Sequence, residues 1–584
     1  MRRMNMQNAM SKTQLLVALS ATIALLFTPA AFAAAPGITS TAGTAGTFYL
    51  TAQDAYLNQP DGSAVYSWGY GCVTGSSPTF VPKATFVFAP SCNTMQVPGP
   101  TLVVTEGQTV TVNLTNNLPT AAGDTSILFP GFNVTTSCSA ATPAGQQGLL
   151  TCEAVPGGGS NSTVTYTFTA SAPGTHAYYS GTQGDLQIEM GLYGAIIVLP
   201  AHPPANCANG TSVTNLYGKT DYGTANHIEG FPEQDFRLST AAYDHPKTCY
   251  DREYLFQWAE MDSRIHREAE AQVQAKIGCT AGTMGCSLDV QTEPYHPAYF
   301  LINGRSMPDV MDPNYGPEYP HQPYNGNPHM HPGEQTLIRT IGQGRWQHPF
   351  HEHANHVRIL ARDGNLVLSP TNPTNNLAGI LMFNTDTTPG ESFDGIFYFS
   401  GRGLNWDPYG HHAGPDVGTS PDGTGNPAND PLAHLSCTPD ANGYNTGNPA
   451  ALNYYEWCQD HNKPVELNPF GDVASGGPAT LPDPNVFTNG AWYGGTPYFG
   501  PDASLRAQMP TCTSTAGTGA ATPGTNCTTL LPSNVQANPA NERGWAYMWH
   551  SHNEREITTN NVFPGGMLMM LLVDSREFAI DESN

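Results

Sequence analysis

The chain is 584 residues long, enough for two or three domains with cores of their own. Its formal charge of −25 disfavours nucleic acid and anionic membranes as partners and can concentrate cations, although solubility of an exported protein is the plainest account of it. With 60 Gly and 50 Pro residues, many turns and little helix are expected.

The first segment sets the compartment. Arg2, Arg3 and Lys12 form a basic start, Leu15 to Phe27 is apolar, and Ala31-Phe32-Ala33 supplies a small-x-small cleavage site. That order is a secretory signal peptide over residues 1–33, which predicts a periplasmic or extracellular protein. The apolar run is too short to span a bilayer, where about 20 residues are needed. No cysteine lies near the cleavage point, so a lipid anchor is not expected there, and nothing later is a transmembrane candidate. All 12 cysteines follow this segment. They fall in neighbouring couples: Cys72 and Cys92, Cys138 and Cys152, Cys207 and Cys249, Cys279 and Cys286, Cys437 and Cys458, Cys512 and Cys527. In an oxidising compartment these read as six disulfides, though spacing alone does not fix connectivity. None has histidines at copper-ligand spacing, so no free thiolate ligand is expected.

A first domain is expected over residues 45–205. Val110, Val112 and Leu114 alternate with Thr or Asn, as do Val164, Tyr166 and Phe168 with Thr. Period-two alternation makes one face of a strand apolar and the other wet, as in an antiparallel sandwich. Ala195 to Leu199 is apolar throughout, as a buried strand is, and stops at Pro200. Residues 206–244 read as a connector. The second domain, residues 245–401 and 541–584, begins with a strand near Glu253 to Trp258. One helix follows, capped by Asp262 or Ser263 and with Ile265 to Lys276 as its body. Further strands are expected at Ala298–Ile302, Gln335–Thr340, His353–Arg362, Phe393–Ser400, Trp545–His552 and Met567–Val573. Residues 402–540 are rich in Gly, Pro, Asn and Asp, hold two of the cysteine couples and read as an ordered, loop-rich insertion.

A weak repeat links the domains. Residues 174–198 and 544–573 each contain an aromatic strand, a Ser, a loop and a Gly-led apolar strand. Two copies of one sandwich account for this; chance likeness of two hairpins is the competing explanation.

Three motifs carry chemistry. They are His348-Pro349-Phe350-His351-Glu352-His353 with His356 soon after, His550-Ser551-His552, and the Gly566-Met567 strand start. Residues i and i+2 of a strand share a face, so His351 with His353 and His550 with His552 each present two imidazoles on one side. If the two strands are adjacent, four imidazoles converge, a set suited to copper or zinc over magnesium or calcium. Ser551 then points the other way, toward the side of His348. The competing reading is a relic site whose histidines make structural hydrogen bonds. His348 and Met567 are also readable as packing residues, and Glu352, Glu554 and Glu556 as partners of the metal-binding histidines, as added metal ligands (Glu556 above all), or as solvated carboxylates. His329 with His331, and His411 with His412, are read as solvated, with a secondary metal site as the alternative.

The His-Pro-x-His-x-His motif followed by His-x-His and a Gly-Met strand resembles the multicopper oxidase family. Pro98-Gly99-Pro100-Thr101-Leu102 leading to Glu106-Gly107-Gln108, and Gly191-Leu192-Tyr193-Gly194-Ala195, resemble the family's first-domain segments. With both histidine motifs in the second domain, the arrangement is similar to two-domain laccases and copper nitrite reductases. The resemblance implies an all-β protein of two cupredoxin-like Greek-key β-sandwiches and a homo-oligomer such as a trimer. It implies His351 as the single-copper ligand, with His353, His550 and His552 on the coupled pair. Additional metal contacts are implied for His348 at the blue copper, with Met567 as its weak axial neighbour.

The chain departs from the family pattern where electron transfer resides. The family's cysteine is Ser551, and the histidine expected a few positions further on is Glu556, which leaves the blue site without the thiolate that sets its redox behaviour. In the first domain, Thr125-Ser126-Ile127 with Leu128-Phe129-Pro130, and Tyr179-Ser180-Gly181, stand where two His-x-His motifs are expected. A trinuclear cluster of the usual kind therefore cannot form. The expected function is a secreted copper-binding protein with a reduced histidine site in the second domain, acting as an oxidoreductase at one metal. The alternative is a non-catalytic copper-binding or surface protein on the same scaffold. A third reading is full oxidase activity with ligands supplied elsewhere. The substrate is not legible.

Overall fold

A computed structural model describes residues 35–208, 236–399 and 544–574, apart from positions 85, 140–143, 159, 332 and 333, and a few short strands elsewhere. The expected signal peptide, most of the connector, nearly all of the insertion, the couples Cys437 with Cys458 and Cys512 with Cys527, and His411 with His412 lie outside the described residues. Within them, Cys72–Cys92, Cys138–Cys152, Cys207–Cys249 and Cys279–Cys286 are disulfides. No described helix is long and apolar enough to cross a membrane.

The first sandwich consists of β1 (Gly37–Ser40), β2 (Thr47–Asn58), β3 (Ala64–Cys72), β4 (Thr79–Val81), β5 (Leu102–Thr105), β6 (Thr109–Asn116), β7 (Thr135–Thr136), β8 (Thr163–Thr169), β9 (Gly174–Tyr179) and β10 (Tyr193–Leu199). One sheet has the order β9-β10-β5-β1-β4, the other β3-β2-β6-β8-β7. The alternating strands behave as their sequence dictates: Val110, Val112 and Leu114 of β6 and Val164, Tyr166 and Phe168 of β8 are buried, with the Thr residues between them partly exposed. Each such side chain taken from water contributes about 1.5–3 kcal/mol.

The second sandwich contains β11 (Arg252–Met261), α1 (Ser263–Ala275), β12 (Tyr299–Ile302), β13 (His329–Met330), β14 (Gln335–Gly342), β15 (His348–Glu352), β16 (Val357–Arg362), β17 (Asn365–Leu366), β18 (Leu381–Met382), β19 (Asn384–Thr387), β20 (Ser392–Tyr398), β21 (Gly544–Ser551) and β22 (Leu568–Asp574). Its sheets run β12-β11-β14-β20-β16-β17, with β18 beside β16, and β13-β22-β21-β15-β19. The described residues are thus all-β, built as two Greek-key sandwiches.

β11 is buried along its whole length because both of its faces are covered. Tyr254, Phe256 and Trp258 enter the core of the second sandwich. Leu255, Ala259 and Met261 face the other way and pack with Ala177, Ile197, Val97 and Tyr193 of the first. Between the domains, Arg339 donates to Glu253 Oε1 at 2.6 Å and to Thr175 Oγ1 at 3.0 Å, all three side chains being buried. Helix α1 starts where the cap predicts, since Asp262 Oδ1 accepts the Arg264 N–H at 2.9 Å. Ile265, Ala269 and Val273, spaced four apart, form its buried stripe.

The hairpin β9–β10 and the hairpin β21–β22 occupy matching places, each with its second strand parallel to a preceding one, β5 or β13. Gly191 and Gly566, which lead into those second strands, have φ of +116° and +59°. A Cβ on either would strike backbone, the Trp68 carbonyl or the Glu556 carbonyl, so a side chain is excluded. One expectation is corrected. The strand placed over His353–Arg362 begins only at Val357, because the backbone breaks at Ala354, whose φ is +82°, and His348–Glu352 forms a strand of its own.

Candidate metal centre

Strands β15 and β21 are antiparallel neighbours, with Phe350 opposite Ser551, His351 opposite His550 and Glu352 opposite Trp549. The pairing continues past both ends, His353 N–H donating to Met548 O and His552 N–H to Pro349 O. Alternation therefore puts His351, His353, His550 and His552 on one face. The opposite face carries His348, Phe350, Glu352, Trp549 and Ser551. Its aromatic members close the core, with the Phe350 ring 4.7 Å from that of Trp258 and the Trp549 ring 4.9 Å from that of Phe397.

On the first face, potential ligand atoms of His351, His353 and His550 all lie within 4.8 Å of one another. Hydrogen bonds fix how two rings are turned. His351 Nδ1–H donates to Phe383 O at 2.7 Å, and His550 Nδ1–H to Ser551 O at 2.7 Å. A carbonyl only accepts, so both rings keep their proton on Nδ1 and present a lone pair on Nε2. His550 Nε2 is 3.2 Å from His353 Nε2. The His353 backbone is held by Trp549, whose indole N–H donates to its carbonyl at 3.1 Å. Burial, reinforced by the neighbouring imidazoles, pushes His351 down to about 4 and His353 down to about 3, and burial lowers His550 too. All three are neutral at neutral pH, the form a metal ion requires. His552 stands outside this group: its ring is 4.7 Å from that of His351, but its side chain is half exposed at the rim beside Glu554. Phe383, 43% exposed, forms the opposite wall with His356 edge-on to it at 5.1 Å.

Behind this face the expected blue-copper residues do come together, in another arrangement. His348 Nδ1 meets Glu556 Oε2 at 2.8 Å and His348 Nε2 meets Glu260 Oε2 at 2.9 Å. Ser551 Oγ donates to the same Glu556 Oε2 at 2.5 Å, and Asn553 Nδ2 to Oε1 at 2.8 Å. Glu260 also accepts from Tyr295 Oη and from the backbone N–H groups of Arg345 and Trp346. Burial alone favours the neutral ring, yet the two carboxylates outweigh it and push His348 up to about 9. The ring is an imidazolium with both nitrogens donating to oxygen, and the carboxylates sit on its two separate edges. Met567 is buried next to this cluster, its carbonyl accepting from Ser551 N–H and its own N–H donating to Glu556 O. Glu352 and Glu556 are buried, not solvated; burial holds the Glu352 carboxyl well above the usual range, with Thr385 donating to it at 3.3 Å.

Among the described residues, the first domain has no such face. Leu128 and Tyr179 exchange backbone hydrogen bonds where His351 pairs with His550 in the second. Thr125 Oγ1 and Ser180 Oγ both donate to Gln187 Oε1, at 2.8 and 2.7 Å. Among the described residues, His351, His353 and His550 form the single group of three or more His, Cys, Asp or Glu able to share an ion. His329 and His331, expected in solvent, are buried, because β13 is drawn into the sheet beside β22 and Tyr254 Oη bonds both the N–H and the carbonyl of His329. Reasoning from sequence missed Glu260. Its signal was a second carboxylate near the end of a strand that mixes polar residues with large apolar ones.

The sequence profile of the family described as multicopper oxidase matches residues 90–203. An L-ascorbate oxidase of Brassica rapa subsp. pekinensis is 36% identical over 103 residues, which is 18% of this chain and 16% of that protein's length. Among solved structures, a blue copper oxidase from Nitrosomonas europaea aligns with a TM-score of 0.34 at 19% identity, over 60% of this chain and 74% of its own. A copper nitrite reductase from the same organism aligns with a TM-score of 0.34 at 19% identity, over 60% and 84%. The family segment lies in the first sandwich, and the chain spans about a sixth of the length of the curated relative it matches.

Proposed function

We propose that this is an exported copper protein that holds one ion among His351, His353 and His550 and acts as an oxidoreductase at that single metal. The observation that carries the proposal is the donor set: three neutral imidazoles within 4.8 Å, two of them turned by carbonyls to offer Nε2. Imidazole without carboxylate suits copper, or zinc, better than magnesium or calcium. Bound copper would supply one-electron chemistry and an open position for a small ligand. The protein's part is to hold the rings neutral, to fix their tautomers through Phe383 and Ser551, and to keep one side open at the half-exposed His552. The missing first-domain histidines leave too few ligands for three coppers, and Ser551 stands where a thiolate would pass electrons inward.

A second reading, copper binding without catalysis, is favoured by the same closed cluster at Ser551, Glu556 and His348, which leaves no electron entry of the family's kind. Elemental analysis of the purified, copper-reconstituted protein tests the first claim, with about one ion per chain expected. A value of zero sinks it, and a value of three requires ligands from elsewhere. Oxygen consumption with a reducing substrate then separates the oxidoreductase from the non-catalytic protein.

A further inference from the structure

The cluster behind the imidazoles occupies the place of a metal site, but its geometry belongs to a clamp. Its three acidic and basic members come from three separate elements. Glu260 is on β11 in the facing sheet, His348 opens β15, and Glu556 follows β21 in the loop that returns to β22. Ser551, the last residue of β21, is tied to the same Glu556 oxygen. These bonds therefore join the two histidine-bearing strands to each other and to the opposite sheet.

The clamp and the imidazoles are the two faces of one strand pair. His348 lies three residues before His351, and Ser551 lies between His550 and His552. A shift of β15 against β21 that separated His351 from His550 would have to break His348 from Glu556 or Ser551 from Glu556. Buried charge-assisted hydrogen bonds resist such movement more than neutral ones do. Removing one partner leaves an uncompensated buried charge, which is costly.

The first domain supplies the comparison. Counting from the matched pairs Leu128 with Tyr179 and His351 with His550, Thr125 stands where His348 stands, and Ser180 where Ser551 stands. Gln187 takes the part of Glu556, accepting from both Thr125 and Ser180. The strand clamp is thus present in both domains. It is neutral where the outer face carries Leu128 and Tyr179, and charged where that face carries the imidazoles.

We propose that His348, held between Glu260 and Glu556, is the positioning group of the imidazole site, fixing the registry of β15 and β21 and so the separation of His351 and His353 from His550. It is not a ligand: its two nitrogens are already directed to carboxylates on opposite edges of the ring. The inference rests on the copper-site reading above, and the test separates the two.

The test replaces the charged clamp by the first domain's neutral set, His348→Thr with Glu556→Gln, in the full-length protein. Its control, Ile338→Ala, destabilises the same core from β14 without touching the clamp. Copper affinity and the Cu(II) EPR spectrum are measured well below the melting temperature, after circular dichroism confirms the fold. The neutral-clamp variant is expected to lose about 10-fold or more in copper affinity and to change its hyperfine splitting. The control is expected to keep both. Parent-like affinity and spectrum in the neutral-clamp variant would overturn the proposal, as would equal losses in the control. If the double variant does not fold, Glu556→Gln alone gives the same comparison. Should the parent itself take up no copper, the copper-site reading falls and the clamp is judged on the metal-free protein by imidazole ¹⁵N NMR. Altered His353 and His550 signals in the variant alone then support it, and unchanged signals overturn it.

Discussion

The two sandwiches share a plan and differ in what one strand pair carries on the face turned away from its own core. In both, a hairpin follows the sheet, its second strand runs parallel to an earlier one, and a Ser at the end of the first hairpin strand bonds an amide or carboxylate oxygen. In the first domain the outward positions hold Leu128 and Tyr179, and the inner bonds are neutral. In the second they hold His351 and His550, and the inner bonds are charged. The same sandwich therefore tolerates either filling, so chemistry here follows from a handful of side chains on one pair of strands, not from the fold.

The largest expected effect concerns the imidazole face. His353→Ala combined with His550→Ala removes two of the three converging groups, and tight copper binding should vanish while circular dichroism stays that of the parent. Metal analysis after dialysis reads the result. Undiminished binding would place the ion elsewhere and erase the functional contrast between the domains.

Next is colour. The parent loaded with copper should show no intense blue absorption, since the thiolate position is Ser551. Ser551→Cys with Glu556→His removes Glu556, the partner of His348 Nδ1, and sets a thiolate and a second imidazole beside it, with Met567 adjacent. An intense visible charge-transfer band should appear on adding copper. A colourless double variant would mean that the clamp region has closed beyond recovery as a metal site.

A third test uses pH. His348 is raised from its ordinary value to about 9 by its two carboxylates. Its stabilising contribution is therefore complete below about 6.5, the ordinary histidine value, and is lost as pH rises through 9. The unfolded chain binds fewer protons than the folded one across this window, so stability falls with rising pH. Urea denaturation at both ends of the window should show the parent losing on the order of 3 kcal/mol. His348→Thr with Glu556→Gln should show a flatter profile. An equal slope in both would remove His348 from the account.

How far the sequence disclosed this depended on the range of the interaction. Half-buried strands such as Thr109–Asn116 announce themselves, because alternation is a local property. The shared face of His351, His353 and His550 followed from the same period of two. Non-local effects were silent. Glu260 is 88 residues from His348, so nothing local joins them. His329 reads as solvated in the sequence, and only the parallel pairing of β13 with β22 buries it. His552 was expected inside the site, but the strand ends at Ser551 and releases it to the rim.

The smallest expected effect sharpens the comparison from the neutral side. Thr125→Val keeps the shape of a fully buried side chain and deletes one donor to Gln187 Oε1. That oxygen keeps its bond from Ser180 at 2.7 Å, so no buried acceptor is orphaned and the cost should be about 1 kcal/mol. Since Thr125, Ser180 and Gln187 are all uncharged, the loss should be the same at pH 6.5 as at pH 9, unlike the loss at His348. Copper affinity should be untouched, because the outer face of this strand pair carries no imidazole. Denaturation at the two pH values, with one copper titration, reads all three. A pH-dependent loss, or weakened copper binding, would show that the first-domain clamp is coupled to the second-domain site and that the two domains do not act independently.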